Sequence, residues 1–305
     1  MRRTDLGTAL VLLIGPLIWG IGFVATKATL SGSGPLWANA IRFGLGSLVL
    51  LPFSWRGLAS LTRKQLGAGL LLGVFLFAAF TGQTAGLVTT SVAHSSFITG
   101  LYAVLVPLIG PFFGKRPHPV QLLAAGLAVL GLLLLTGLGS LTLGFGAGES
   151  FSIGDLLTFG CALVSAVHIL IADRVAHDAS PLVLNWLQLA TVFLLSSLVA
   201  LPIEGFPAVH WTAGVIAGQL YLAIFSSGVA FTLQFWGQRR ISPAAAAMIF
   251  LLEAPFGALA GAVVYGERMG WLQACGGLLI LIASFLSVWS QPLTAESETL
   301  REARP

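Results

Sequence analysis

One carboxylic acid lies deep inside an apolar segment of this chain, and it is the first residue to consider for chemistry. Glu253 stands in the run LLEAPFGALAGAVVY, two residues before Pro255. A proline inside a helix removes one backbone hydrogen bond and frees a carbonyl group. The pair therefore predicts a place that binds a proton, a cation or an ammonium group. The alternative, which the pattern supports equally, is a neutral acid that joins two helices through a hydrogen bond.

Two basic residues also interrupt apolar runs. Arg42 lies in IRFGLGSLVLL, close to one end of this apolar run. Its long aliphatic stem can therefore carry the guanidinium to the polar end of the run. Structural pairing or the capping of carbonyl groups is the favoured interpretation of Arg42. The functional alternative is capture of a substrate carboxylate, because a guanidinium matches a carboxylate in shape and charge. Lys27 ends the first apolar run, and we expect it to anchor that end.

A stripe of polar side chains opens a further apolar run, AHSSFITGLY. His94, Ser95, Thr99 and Tyr102 recur at helical spacing, so they share one side of a helix. Apolar surroundings make unpaired polar groups costly, which means that these side chains face a cavity or another helix. These groups could bind a zwitterionic ligand, and the favoured interpretation is that the stripe lines a cavity. The alternative is hydrogen bonding between packed helices.

Aromatic and amide side chains complete the candidate binding set. Trp19 and Phe23 are four residues apart and could stack on an apolar or aromatic solute, although helix packing is the commoner role of such a pair. Gln83 and Gln234 occupy matching places in two related parts of the chain, as shown below. His168 is a lone histidine, more often a hydrogen-bonded core residue than a ligand-binding one.

The chain carries no motif that indicates an enzyme or a metalloprotein. Cys161 and Cys275 lie in apolar segments without partner spacing, so we expect packing residues and neither a metal site nor a disulfide. The sequence has no HExxH, no paired carboxylates within one helix and no P-loop. We therefore expect no catalytic activity, no cofactor and no direct ATP hydrolysis.

Composition places these residues in a membrane. The chain has 305 residues, of which 56% are hydrophobic and only 9% charged, against roughly 25% charged in a soluble domain. An ionisable group at the centre of a bilayer costs about 2.5–3.5 kcal/mol, which adds weight to Glu253 and Arg42. The formal charge of +4 indicates membrane orientation rather than nucleic-acid binding.

Apolar runs separated by Gly, Pro, Ser or charged residues predict ten transmembrane helices in an all-α protein. The first run is expected to stay as a span, because no cleavage site of a signal peptide follows it. Four prolines fall inside the predicted spans, where they indicate kinks and candidate hinges: Pro16, Pro107, Pro111 and Pro255. The predicted spans are 7–30, 35–53, 65–86, 92–113, 119–138, 154–175, 181–202, 212–237, 243–264 and 269–290.

Lys and Arg are concentrated on one face of this topology. The face with both termini and the even-numbered loops holds 12 of them, the opposite face holds Lys27 and Arg268, and Arg42 lies within a span. Because positive loops stay in the cytoplasm, both termini are predicted to be cytoplasmic in a bacterial-type inner (plasma) membrane.

The two halves of the chain repeat one another. PLWAN at 35–39 matches PLVLN at 181–185, and SLV-x-LP recurs at 47–52 and 197–202. Gln83 and Gly86 match Gln234 and Gly237, and GKRPHPVQ at 114–121 matches GERMGWLQ at 266–273. Since five spans is an odd number, the second copy is inverted relative to the first. Inverted repeats are typical of carriers that bind a solute near the midplane.

Segments of both halves resemble the EamA-type family of the drug/metabolite transporter superfamily. They are WGIGF from Trp19, Arg42-Phe43, Gly154-Asp155, and the paired elements at 97–117 and 252–268. The chain is also similar to amino-acid exporters of the YddG type. One departure is Lys115, where the second copy has Glu267 and the family usually has Glu. The asymmetry of charge puts any shared role of that loop in doubt.

The resemblance implies a cavity lined mainly by spans 1, 3, 4, 6, 8 and 9, and export of metabolites without ATP. Neutral or aromatic amino acids are the expected substrates; the alternative is another metabolite or drug class moved by proton antiport. A channel and an intramembrane enzyme are the rivals outside the carrier class.

The expected partners are a small-molecule substrate and the lipid bilayer, and a monomer is compatible with the sequence. The expected domains are repeats at 1–138 and 154–292, a linker at 139–153 and a cytoplasmic tail at 293–305.

Overall fold

The computed structural model describes residues 3–135, 152–266 and 270–289, and the regular structure of these residues is entirely helical. The predicted linker at 139–153 falls almost wholly outside the described residues. So do the tail at 293–305 and the Glu267 and Arg268 positions.

Ten apolar spans follow one another in the described chain. Those of the first half are α1 (Gly7–Thr29), α2 (Pro35–Leu58), α3 (Arg63–Gly86), α4 (Val92–Phe113) and α5 (Pro119–Leu135). Those of the second half are α6 (Ile153–Val175), α7 (Pro181–Glu204), α8 (Ala213–Gln238), α9 (Pro243–Tyr265) and α10 (Trp271–Trp289). Among the described residues, eight of these are long and apolar enough to cross a bilayer, and α5 and α10 contain shorter apolar helices. The prediction of ten transmembrane helices is confirmed.

The same local signals begin and end matching helices of the two halves. Pro35 and Pro181 stand in the first turns of α2 and α7, where the missing N–H costs nothing. Ser91 and Ser242 cap α4 and α9 by accepting a backbone N–H bond. Helical structure in α4 and α9 ends at Gly114 and Gly266, both in the left-handed conformation that glycine favours.

Three spans are broken near their middle. The helix of α1 is interrupted at Leu13, three residues before Pro16, and α9 is interrupted at Leu251 and Leu252, just before Pro255. The α4 helix breaks at Leu101, six residues before Pro107, and Pro111 lies in a closing 3₁₀ turn. The four prolines therefore accompany irregular helix geometry, and their role as hinges stays a prediction.

Contacts between the halves obey an approximate two-fold symmetry. Matching helices pack on each other in the pairs α2 with α7, α5 with α10 and α4 with α9. The α3 helix packs on α6 and α7 just as α8 packs on α1 and α2. The third helix of each half thus packs on the first two helices of the other half, as expected for two inverted five-helix repeats.

Polar bonds at matching positions strengthen this arrangement. Buried Asn39 of α2 donates to the Phe80 carbonyl of α3 and accepts from Thr84. Its counterpart Asn185 of α7 donates to Ser227 and Gly228 carbonyls of α8. Each asparagine thus ties the second helix of its half to the third. The apolar side chains left exposed on the outer helix surfaces, Phe53, Leu198 and Val263 among them, face the lipid.

Candidate functional site

A cavity of about 70 Å³ lies between the two halves, near the middle of the spans. Its walls come from α1, α2, α3, α4, α6, α8 and α9. The family resemblance implied six of these helices, and the structure adds α2, which contributes Arg42. This position at the interface of two inverted repeats is where carriers of this architecture bind their solutes.

Arg42 supplies the positive charge of the cavity wall. Its side chain is 2% exposed, and its guanidinium donates to the hydroxyls of Ser227 at 2.9 Å and Ser226 at 2.8 Å. The guanidinium carbon also lies 4.8 and 4.5 Å from the ring centroids of Phe43 and Phe80. No carboxylate pairs with Arg42 among the described residues. Two neutral hydroxyls leave further N–H groups of the guanidinium without a charged acceptor.

The hydroxyls that hold Arg42 come from an unusual segment of α8. Residues Leu222–Ala230 form a π-helix, and Ser226 and Ser227 lie within it. Such segments are rare and often occur at functional sites. Sequence reasoning favoured structural pairing or the capping of carbonyl groups for Arg42, and the structure shows hydrogen bonds to two adjacent hydroxyls.

Aromatic rings form the wall beside Arg42. The Trp19 ring lies 5.2 Å from Phe231 and 5.3 Å from Phe250, and Phe80 lies 5.9 Å from Phe231, measured between centroids. The Trp19 indole N–H donates to the Ser226 carbonyl at 3.2 Å, which fixes the ring. The spacing and tilt of these rings are those of favourable aromatic pairs, so the wall is a stable surface on which an apolar group can pack.

Glu253 and Tyr102 lie on the same cavity wall at matching positions of the two repeats. Each is the first residue of the helical segment that follows the break in its span. The Glu253 side chain is 5% exposed and the two side chains interact directly. Tyr102 nevertheless makes no hydrogen bond of good geometry, and its hydroxyl is buried. The wall therefore carries a carboxyl group next to a phenol hydroxyl.

The predicted amides and His168 also reach the cavity. Gln83 donates to Thr99 at 3.3 Å, and His168 shares a 3.0 Å hydrogen bond with Gln188. Gln234 donates to Gln238 at 3.2 Å. Each of these side chains already has a protein partner, so the cavity is polar without being strongly charged at these points.

The four side chains of the predicted stripe on α4 do not all line the cavity. Thr99 and Tyr102 line the cavity, but His94 and Ser95 do not. Ser95 is fully buried between helices. The His94 ring lies 3.7 Å from the carboxylate of Asp155, in the first turn of α6. The physical reason is that the cavity lies near the middle of the spans, whereas His94 and Ser95 belong to the first turn of α4.

Sequence reasoning missed several residues of the cavity wall. Phe80 and Phe231 are 151 residues apart, the same register that relates Gln83 to Gln234, so the repeat could have identified them. Phe250, Ser165 and Ser226 carried no such signal. Cys161, interpreted as a packing residue, is buried on this wall with its sulfur 3.6 Å from Ser165.

The arrangement can bind a molecule that carries both an acidic and an amino group. In the parts of the chain that the structure describes, no group of His, Cys, Asp and Glu side chains could hold a metal ion. What the cavity offers is a guanidinium, a carboxyl group and an aromatic surface.

Comparison with known proteins agrees with the fold. The EamA-like transporter family matches residues 6–137 and 152–289. An uncharacterized transporter of Archaeoglobus fulgidus is 32% identical, over 92% of this chain and 83% of the relative. A probable amino-acid metabolite efflux pump of Salmonella typhimurium is 29% identical, covering 95% and 96%. The threonine/homoserine exporter RhtA of Salmonella typhimurium is 26% identical, covering 90% and 89%.

A solved crystal structure shows the same fold. It has a TM-score of 0.72 at 20% identity, and the match covers 92% of this chain and 97% of that chain. The family match and these relatives make the chain a multi-pass membrane transporter and not an enzyme. The chain belongs to the EamA-like transporter family of the drug/metabolite transporter superfamily, and that prediction is confirmed.

Proposed function

We propose that this protein exports small metabolites, neutral or aromatic amino acids foremost, by alternating access of the central cavity to the two sides of the membrane. The observation that carries the proposal is a guanidinium and a carboxyl group that line the same cavity. Arg42 and Glu253 line one buried space, and Arg42 has no acidic partner in the described structure.

A free amino acid matches these groups. Its carboxylate would accept hydrogen bonds from the remaining N–H groups of Arg42, which suits a planar acceptor. Its ammonium group would donate to Glu253 and to the Tyr102 hydroxyl. Its side chain would pack on Trp19, Phe80, Phe231 and Phe250, which favours apolar and aromatic side chains.

The names of two relatives support this substrate class. One is called an amino-acid metabolite efflux pump and another a threonine/homoserine exporter. We infer for this chain the same outward direction, in a bacterial-type inner membrane with both termini in the cytoplasm. The 12 Lys and Arg on one face are the physical support for that orientation.

Counterflow in proteoliposomes tests the proposal. Vesicles that contain the purified protein and unlabelled L-phenylalanine, L-leucine or L-threonine are diluted into the same amino acid in labelled form. We expect transient accumulation of label, because a carrier exchanges one solute for another whereas a channel or an enzyme does not. Vesicles without protein are the control. Absence of counterflow with all neutral amino acids would refute the proposed substrate class.

A second candidate is proton antiport of another metabolite class, which the titratable Glu253 favours. The same vesicles, prepared with an imposed pH gradient, decide between the two modes. Uptake that ignores the gradient supports facilitated export of amino acids. Uptake driven by the gradient supports antiport, and a panel of other metabolites then replaces the amino acids.

A further inference from the structure

A second cavity, of about 360 Å³, lies on the face that is rich in Lys and Arg. Its walls are the segment between α4 and α5, the end of α6, the turn between α8 and α9, and the start of α9. The first of these segments belongs to one repeat and the others to the second repeat. We call this space the basic vestibule.

Positive charge dominates the basic vestibule. Lys115, Arg116, Arg239 and Arg240 line it, together with His177. Asp173 is the one acid that lines it among the described residues, and a 2.7 Å ion pair with Lys115 already neutralises that carboxylate.

The three arginines are not engaged by acids. Arg239 donates to the carbonyls of Ala176 and Ala179. Arg240 donates to the Trp236 carbonyl and stacks on the Trp236 ring at 4.0 Å. Arg116 is exposed, and it forms no ion pair within the described ranges.

Membrane orientation alone does not account for this clustering. Arg56, Arg63 and Lys64 lie on the same face outside the vestibule, and they would satisfy the orientation signal equally well. Charges of one sign gathered in a concave space with apolar surroundings focus the electric field and raise the local concentration of anions.

Only a thin wall separates the vestibule from the central cavity. Ile169 lines the central cavity while the next residue, Leu170, lines the vestibule. Gln234 and Gln238, one helical turn apart on α8, likewise face opposite spaces and are hydrogen-bonded to each other. Gln238 also donates to the Ile169 carbonyl at 2.9 Å. The wall is thus held by a short hydrogen-bonded chain between α6 and α8.

We propose that the basic vestibule is a second substrate site, which takes up the carboxylate group of the substrate before it enters the central cavity. The inference rests on the proposed function, because it assigns the substrate a carboxylate. Arg116 and Arg240 attract the anionic group, and separation of the Gln238 amide from the Ile169 carbonyl opens the path toward Arg42.

Cysteine labelling tests the charge of the vestibule independently of transport. His177→Cys is introduced into a Cys275→Ser chain, with that parent chain as background. We expect an anionic methanethiosulfonate reagent to react faster than a cationic one, by about tenfold at low salt. Benzoate, a carboxylate probe, should slow the labelling. The double substitution R116Q and R240Q should remove both effects, whereas R56Q with R63Q, of equal charge, should leave them.

Transport kinetics test whether the substrate uses this site. With substrate supplied at the basic face, R116Q with R240Q should raise KM several-fold and leave the maximal rate unchanged. Equal labelling rates for the two reagents would overturn the vestibule as an anion site. Normal labelling with an unchanged KM would overturn it as a substrate site. Charge-selective labelling in a protein that moves no amino acid would refute the proposed function and, with it, the assigned ligand.

Discussion

Arg42 illustrates how a charged side chain is kept inside a membrane protein without a carboxylate beside it. Two hydroxyls and the faces of two rings surround the guanidinium. A guanidinium is weakly hydrated and planar, so it tolerates such surroundings better than an ammonium group does. The remaining donors are then available to a ligand that enters the cavity.

Replacement of Arg42 by lysine should impair substrate binding although it preserves the charge. A lysine cannot bond both Ser226 and Ser227 while stacking on the Phe80 ring, and it lacks the forked donors for a carboxylate. We expect KM in the counterflow assay to rise by about ten- to a hundredfold, equivalent to losing a charge-assisted hydrogen bond of about 1.5–3 kcal/mol. The exposed Arg56→Lys is the matched control, and an unchanged KM in R42K would exclude Arg42 from binding.

Glu253→Gln should abolish transport while the protein stays in the membrane. Glutamine has nearly the same shape but neither the charge nor the titratable proton, so it cannot neutralise an ammonium group or carry a proton. Transport is measured in proteoliposomes that contain equal amounts of each protein, and Glu253→Asp should keep partial activity. Normal counterflow by E253Q would limit Glu253 to joining helices.

At the scale of the helices, breaks within spans and close contacts between helices position the side chains of the cavity. The breaks in α4 and α9 place Tyr102 and Glu253 at the beginnings of matching helical segments. Nearby, Gly20 of α1 packs against the backbone of α9: an added Cβ would lie 2.9 Å from the Phe256 carbonyl carbon and 2.8 Å from the Gly257 nitrogen. Such an approach leaves no space for a side chain.

Gly20→Ala should therefore destabilise the protein by pushing α1 away from α9. Overpacking of this kind costs about 1–3 kcal/mol, and we expect a lower apparent melting temperature in detergent. Gly160→Ala on α6 is the control, because nothing lies within 4 Å of the added carbon. Alanine favours a helix more than glycine does, so the control should be neutral or slightly stabilising. Equal melting of both variants would show that the α1–α9 contact has room to adjust.

At the scale of the whole molecule, the inverted repeat would allow the two similar conformations that the proposed alternating access requires. Each helix that packs on the opposite half has a counterpart that does the same in the inverted copy. Exchange of the two packing arrangements would close one side of the central cavity and open the other.

The orientation of the molecule can be tested with reporter fusions. A C-terminal green fluorescent protein should fluoresce in a bacterial host, and a C-terminal alkaline phosphatase should be inactive, because both report a cytoplasmic end. A phosphatase fused after Glu204, between α7 and α8, should be active. The opposite pattern would reverse the orientation and make the basic vestibule an external mouth.

The sequence alone predicted the ten spans, because each needs about 20 apolar residues and the breaks between them are marked by charged and turn-forming residues. Matched segments such as PLWAN and PLVLN were sufficient to predict inversion, since an odd number of spans reverses the direction of the second copy. Gln83, Gln234, Glu253 and Arg42 could be selected as candidates because polar groups in lipid need partners.

Only the tertiary structure decided which of those candidates meet. Helical spacing groups His94 and Ser95 with Thr99 and Tyr102, but the depth of the cavity along α4 depends on how α1, α6 and α9 pack around it. The partners of Arg42 lie about 185 residues away in the chain, in a π-helical segment that no local pattern announces. Hydropathy and repeats act along the chain, whereas a binding site depends on contacts between distant segments, which packing alone determines.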